Sequence, residues 1–128
     1  LPAAVSMAKD LSHRLGAVIA VSGVIDIIAD RDRVCLVRNG CAEMSRITGS
    51  GCMLSALTGA FCGALPQQPF QAACAAVATM GVCGELAEER RLKNGTGNAT
   101  FRNDLIDAVF NLTETQLTKG VRYEIYES

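Results

Sequence analysis

Two glycines around a serine, followed at once by a cysteine, form the segment of this 128-residue chain with the clearest potential for chemistry. Small and apolar residues dominate the positions after Gly49-Ser50-Gly51, so the pattern predicts a helix from Cys52 to about residue 65. Glycines without Cβ atoms let a ligand approach the backbone closely. Amides at a helix N-terminus attract anions, and the helix dipole adds to that attraction. The segment therefore predicts a site for a phosphoryl group in transfer.

Cys52 would lie in the same positive field, which favours the ionised thiolate of a cysteine. Such a thiolate could accept the proton of an alcohol that attacks phosphorus. The alternative is a tight turn before an alanine-rich helix, with a cysteine that only packs. Neither the Walker phosphate-binding motif, nor a dinucleotide-binding fingerprint, nor the Gly-x-Ser-x-Gly elbow occurs in the sequence.

Ser22 is the second candidate, because it follows the short apolar run 17–21. Such a run is typical of a strand buried on both faces, and ligands of open α/β sheets collect at the carboxyl ends of strands. The alternative is a serine that only begins a turn. The remaining ionisable groups of interest fit solvated surface positions better than chemistry: His13, the turn Asp30-Arg31-Asp32-Arg33, and Asp104 with Asp107.

The elements that must position these residues include both helices and strands. The patterns predict helices over 1–15, 52–65, 70–91 and 100–112, a hairpin of strands 26–29 and 34–38, and a last strand or ordered tail over 123–126. A helix followed by the strand 17–21 resembles half of a parallel crossover unit. The fold class is α/β. Because one strand and a hairpin form a small sheet for so many apolar helices, we expect a larger domain whose remainder precedes Leu1.

Composition excludes several classes of function. The net charge is −1, from 12 basic and 13 acidic residues, and no basic cluster marks a nucleic-acid surface. No run reaches the 18–20 or so uncharged apolar residues of a membrane span. Six cysteines without a Cys-x-x-Cys pair, beside one histidine, do not match a structural zinc site. With no export signal at Leu1, we expect reduced thiols and a cytoplasmic protein.

Three segments taken in order resemble the hydroxyethylthiazole kinase family of the ribokinase-like superfamily. They are Ala-Val-Ile-Ala-Val-Ser-Gly at 17–23, Val-Arg-Asn-Gly at 37–40, and Ile-Thr-Gly-Ser-Gly-Cys at 47–52 with Leu54. Residues 81–85, Phe101-Arg102 and 105–108 continue the resemblance, which covers all 128 residues but only the C-terminal half of the family. It implies that residues 1–128 are the C-terminal part of one three-layer α/β/α kinase domain.

The resemblance also implies an activity, the ATP-dependent phosphorylation of the primary hydroxyl of 4-methyl-5-(2-hydroxyethyl)thiazole in thiamine salvage, with Mg²⁺. The family's glycine-rich phosphate turn corresponds to Gly49, Ser50 and Gly51, and Gly49 also contacts the thiazole side. The alcohol-activating base corresponds to Cys52, where most of the superfamily has aspartate. The nucleotide-contacting threonine corresponds to Ser22.

Other parts of the family's site have no counterpart in this sequence. The thiazole pocket, an ATP-contacting arginine and an acidic residue near magnesium belong to the half before Leu1, so no metal ligand is expected in this chain. The family builds its sites between the subunits of a homotrimer. We therefore expect the isolated chain neither to phosphorylate the thiazole nor to fold stably without that half.

Two alternatives stay open from the sequence. One is another ribokinase-like small-molecule kinase, or a nucleotide-hydrate dehydratase, in which aspartate is expected in place of Cys52. The other is a non-catalytic interaction fragment whose small-residue helices, 51–65 and 72–84, dock against a partner chain.

Overall fold

The computed structural model describes residues 1–127. Its elements in chain order are α1 (Pro2–Leu15), β1 (Ile19–Val21), β2 (Asp26–Ala29), β3 (Arg33–Val37), a short 3-10 helix (Ala42–Arg46), α2 (Ser50–Ala64), α3 (Pro69–Asn94), α4 (Asn98–Asn111), α5 (Glu114–Gly120) and β4 (Tyr123–Glu127). The α/β class, the hairpin and the four predicted helices are confirmed, with ends that differ by a few residues. The short helix α5 was not predicted.

The four strands form one sheet in the order β1-β2-β3-β4. Every neighbouring pair is antiparallel, with Ile28 of β2 opposite both Ala20 of β1 and Cys35 of β3. On the other side of β3, Cys35 lies opposite Ile125 of β4. The predicted tail at 123–126 is therefore a strand of the sheet.

The prediction that residues 17–21 form a strand buried on both faces is wrong for this chain. Ala20 is exposed, and Ile19 and Val21 are half-buried. Strand β1 is an edge strand, because within residues 1–127 it pairs only with β2, and that pairing is antiparallel. The parallel partner that a crossover unit requires does not lie within that range.

Helices cover both faces of the two central strands, β2 and β3. On one face, alternate residues of β2 and β3 pack with Ala8 of α1; these are Ile27, Ala29, Val34 and Leu36. On the opposite face, the intervening residues pack with Phe70, Ala73 and Val77 of α3; these are Ile28, Cys35 and Val37. The strand period of two thus divides the apolar residues between two cores. The arrangement is a three-layer α/β/α sandwich, as predicted.

Helix α3 is the centre of the second helical layer. It is long and apolar enough to pass a length-and-composition test for a membrane span, but 72% of its most apolar 18-residue window is buried against the rest of the chain. Helix α4 packs on it through Phe101 and Leu105, which are both fully buried beside Met80 and Cys83. This burial is typical of the core helix of a folded domain.

Glycines end two of the helices. Gly16 closes α1 and Gly95 closes α3, each in the left-handed conformation with φ near 62°. The buried residues of α1 are Ala8 and Ser12, whereas Leu15 is 66% exposed. Ser12 donates its hydroxyl to the carbonyl of Ala17 at 2.6 Å.

Candidate functional site

The N-terminus of α2 carries three backbone amides with no partner in the described part of the chain. The first paired amide of the helix is that of Met53, which donates to the carbonyl oxygen of Gly49 at 2.9 Å. The amides of Ser50, Gly51 and Cys52 precede it and donate to nothing within residues 1–127. Unpaired amides at a helix N-terminus are the groups that bind phosphate. The predicted anion site is therefore geometrically open.

Gly49 precedes the helix with φ 97° and ψ 0°. This left-handed conformation is strained for any residue with a Cβ atom, so a glycine is required at this turn. Nothing within 4 Å would meet a Cβ on either Gly49 or Gly51. At both glycines the backbone is thus open on the side where a Cβ atom would project.

The inner face of α2 anchors the helix on the second helical layer. Met53, Leu54 and Leu57 are half-buried and pack against the core formed by α3 and α4. The outer face is small and exposed, beginning with Gly51 and Cys52. Arg102 of α4 donates its Nε to the carbonyl of Thr48 at 3.4 Å, which ties the approach to the turn to the same layer.

Cys52 is an exposed free cysteine at the third position of α2. Cys83 is in the opposite situation, because burial in the α3–α4 core raises its pKa to about 11. All six cysteines are free. The thiol of Cys52 is therefore open to solvent beside the unpaired amides.

Ser22 and Gly51 line one cleft of about 370 Å³ between the end of β1 and the start of α2. The other residues that line it are Ala20, Val21, Asp26, Leu54, Ser55, Thr58 and Val77. Gly49, Ser50 and Cys52 are not among the lining residues, although Cys52 directly follows Gly51. The structure thus brings Ser22 at the strand end and Gly51 of the glycine turn to one cleft.

Asp26, which begins β2, is a cleft residue that the sequence reasoning missed. Its Oδ1 accepts the Gly23 amide at 2.9 Å. Burial raises the pKa of the Asp26 carboxyl, and the bond from Gly23 partly offsets that rise. The signal in the sequence is an aspartate three residues after the glycine that follows the first strand.

The charged turn 30–33 is solvated only in part, because Arg31 and Asp32 are exposed as predicted, whereas Asp30 and Arg33 are half-buried. Arg33 donates its Nε and Nη2 to one oxygen of Asp30, at 3.1 and 2.7 Å, and its guanidinium stacks 4.2 Å from the centre of the Phe70 ring. Although burial raises the pKa of Asp30, the bonds from Arg33 and from the amides of Asp32 and Arg33 lower it more. Asp26 begins β2, whereas this turn follows the other end of the same strand. None of the residues 30–33 lines the cleft.

The other side chains predicted to lie on the surface differ in their exposure. His13 is exposed, as predicted. Asp107 is exposed, but Asp104 is only 16% exposed and lies 4.0 Å from the guanidinium of Arg90. Within residues 1–127, no group of three or more His, Cys, Asp or Glu side chains is placed to hold a metal ion.

Comparisons with known proteins agree on one family. The profile of the hydroxyethylthiazole kinase family matches residues 2–115. A hydroxyethylthiazole kinase of Clostridium acetobutylicum is 49% identical over 122 residues, and one of Clostridium beijerinckii is 41% identical over 115 residues. These matches cover 95% and 90% of this chain, but only 44% and 41% of the relatives. The chain therefore spans less than half the length of these curated relatives.

A solved structure gives the same result at the level of the fold. The hydroxyethylthiazole kinase structure from Pyrococcus horikoshii OT3 superposes with a TM-score of 0.85 at 27% identity. The match covers 98% of this chain and 47% of that protein. None of these similarities favours the alternatives of another ribokinase-like enzyme or a non-catalytic fragment.

Proposed function

Because the chain belongs to the hydroxyethylthiazole kinase family, we propose that it contributes the phosphate-transfer part of an enzyme that phosphorylates 4-methyl-5-(2-hydroxyethyl)thiazole with ATP, in thiamine salvage. The observation that supports this most directly is the N-terminus of α2, where three unpaired amides lie next to the exposed thiol of Cys52. A phosphoryl group needs hydrogen-bond donors around its oxygens and a base near the attacking hydroxyl, and this segment supplies both.

The amides of Ser50, Gly51 and Cys52 hold the oxygens of the transferring phosphoryl group in this proposal. Phosphoryl transfer depends mainly on positioning and on neutralising charge, so fixed backbone donors are well suited to it. The dipole of the 15-residue helix α2 adds positive potential at the same point. Gly49 lies at the entrance of this cradle, on the side that we assign to the thiazole alcohol.

Cys52 acts as the base that takes the proton of the alcohol. Its thiolate accepts the hydroxyl proton as the alcohol oxygen forms a bond to the γ-phosphorus of ATP. The bond between that phosphorus and the β–γ bridging oxygen breaks, so ADP leaves with the bonding electron pair. The products are the thiazole phosphate and ADP, and the thiol returns its proton to water.

Ser22 contacts the nucleotide from the other wall of the cleft. Its position supports this role, because Ser22 and Gly51 share one cleft of about 370 Å³ at the end of β1. A serine hydroxyl can donate to a phosphate oxygen or accept from the nucleotide.

Magnesium would neutralise charge on the phosphates of bound ATP. Residues 1–127 offer no cluster of three or more metal-ligating side chains. We propose that the magnesium ligands, an ATP-contacting arginine and the thiazole pocket belong to the part of the enzyme outside this chain.

Two features support a site that this chain completes together with other polypeptide. The curated relatives are more than twice as long as the segment that matches. The outer edge of β1 pairs with nothing within residues 1–127, and Ala20 on that strand is exposed. We propose that residues 1–128 are the C-terminal part of one kinase domain, that the N-terminal part covers this edge, and that the complete cytoplasmic enzyme is a homotrimer.

The test is a chimera in which this chain replaces the segment of the Clostridium acetobutylicum kinase to which it aligns. We expect the chimera to convert the thiazole alcohol and ATP to thiazole phosphate and ADP, with both products measured by mass spectrometry. The unmodified parent kinase is the positive control. The isolated chain, assayed beside it, is expected to be inactive.

Two outcomes would contradict the proposal. A folded chimera that phosphorylates a pyrimidine alcohol but not the thiazole would indicate another ribokinase-like activity. A folded chimera without saturable binding of an ATP analogue would indicate a non-catalytic fragment.

A further inference from the structure

The turn that carries Ser22 is fixed by a carboxylate from the next strand. The amide of Gly23 donates to Oδ1 of Asp26 at 2.9 Å. No other hydrogen bond within residues 1–127 involves the side chains or amides of residues 22–25 outside the sheet. Val24, at the tip of this turn, is 96% exposed. Ile25 packs on the core beneath α1, but Ser22, Gly23 and Val24 are exposed, so the bond from Gly23 to Asp26 is what fixes the start of the turn.

Asp26 lies on the face of the sheet that looks toward the cleft. It is opposite Val37 in the register of β2 and β3, on the same face as Ile28, which packs toward α3. Its side chain lines the cleft together with Ser22 and Gly51. Burial disfavours the charged form of a carboxylate, so a half-buried aspartate is unfavourable for folding unless it binds another group. The Gly23 amide is such a group.

We propose that Asp26 is a positioning residue that holds the Ser22-Gly23 turn so that the Ser22 hydroxyl lies in the nucleotide cleft opposite Gly51. This inference rests on the proposed kinase function and adds to it a residue that acts through Ser22. Loss of the Asp26 oxygen frees the Gly23 amide, and the exposed turn can then move away from the cleft. The nucleotide loses the Ser22 contact, whereas the phosphate cradle on α2 stays in place.

The experiment is a double-mutant cycle on the chimera, with KM for ATP and kcat measured for Asp26→Ala, Ser22→Ala and the double variant. We expect each single change to raise KM for ATP about tenfold, the size of one lost hydrogen bond to a charged group, with kcat little changed. We expect the double variant to show no further rise, because the two changes remove one and the same contact.

Asp26→Asn separates the hydrogen bond from the charge. Its side-chain oxygen can still accept the Gly23 amide, so we expect KM for ATP to return close to the unmodified value. Thermal unfolding of every variant shows whether the fold survives the change.

Three results would overturn the inference while the chimera itself is active. They are an unchanged KM in Asp26→Ala, effects of the two alanine changes that multiply in the double variant, and an Asp26→Asn variant as impaired as Asp26→Ala. An inactive but folded chimera with the unmodified sequence would instead contradict the proposed function, so the two failures are distinguishable.

Discussion

Gly81 of α3 lies directly against Asn39, and a Cβ atom on Gly81 would come within 2.6 Å of the Asn39 Cβ. This close approach allows the buried Asn39 amide to donate to Glu85 at 2.7 Å and to the carbonyl of Gly120 at 2.8 Å. Its Oδ1 accepts the amide of Arg122 at 2.7 Å. One asparagine thus joins the end of β3 to α3 and to the segment that enters β4.

Replacing Gly81 by alanine should therefore destabilise the fold. The added methyl group must displace the backbone at Asn39, and overpacking of this kind costs about 1–3 kcal/mol in the free energy of unfolding. Chemical denaturation of the chimera measures the change. Gly59→Ala is the matched control, because Gly59 is an exposed helix position with nothing within 4 Å of a Cβ atom, and it should stabilise the helix by up to about 1 kcal/mol. Equal effects of the two changes would contradict the packing seen at Asn39.

The cysteines should differ sharply in their reactivity toward an alkylating reagent. Burial raises the pKa of Cys83 to about 11, so at pH 8 only about one molecule in a thousand carries its thiolate, whereas Cys52 is exposed. Peptide mass mapping after brief treatment of the folded chimera with iodoacetamide should find Cys52 labelled and Cys83 unlabelled. Cys83 should become labelled once denaturant is added. Labelling of Cys83 at the rate of Cys52 in the folded protein would show that the α3–α4 core is open.

Alanine substitutions of Gly49 and Gly51, the two glycines of the phosphate turn, should affect different kinetic constants. Gly49→Ala places a Cβ atom on a residue with φ 97°, a strain of about 1–2 kcal/mol that the turn can relieve only by moving the amides. We expect it to lower kcat. Gly51→Ala has an ordinary helical backbone and open space, so the fold should survive while the methyl group intrudes on the cleft. We expect KM for ATP to rise about fivefold, equivalent to about 1 kcal/mol. If steady-state kinetics show the same pattern for both variants, the assignment of the turn is wrong.

Asp26→Asn should alter the pH dependence of stability. Burial raises the pKa of the Asp26 carboxyl in the folded protein, so the folded state favours the protonated form and the charged form opposes folding at neutral pH. Asparagine removes that charge. The variant should therefore be more stable than the unmodified chimera at pH 7, and the difference should shrink as the pH falls through the folded pKa toward 3.8, the value of the free carboxyl. Denaturation midpoints between pH 3.5 and pH 7 test this. A difference that grows on acidification would mean that the carboxylate is stabilised in the folded protein.

The sequence predicts those elements whose signals are local. Residue types within a few positions predict the hairpin of β2 and β3, the end of α1 before Gly16, and the start of a helix after Gly49. Helix α5 was not predicted, because its seven residues do not repeat apolar side chains at helical spacing. The local signal for this helix is the capping box that Thr113 and Gln116 form at its start.

Relationships between distant segments required the structure. The run 17–21 has the composition of a strand covered on both faces, yet the residues that would cover Ala20 are not among the described ones. Arg33 stacks on Phe70, 37 positions away, which no pattern within the turn 30–33 reveals. Asp26 was missed for a similar reason, since its role depends on a cleft that β1 and α2 form together.

Cys52→Ala tests the chemical step itself. In the chimera, we expect it to lower kcat by about 10²–10⁴, the range for loss of a general base, because no other group in the proposed mechanism takes the alcohol proton. The amide of residue 52 remains in the alanine variant, so the phosphate cradle is preserved and the Kd for an ATP analogue should stay within about twofold of its original value. Cys62→Ala is the matched control, since Cys62 lies on the same helix about three turns further along and should leave both quantities unchanged. An unchanged kcat in Cys52→Ala, measured where the chemical step limits turnover, would remove the thiol from the mechanism and leave catalysis to the amides alone.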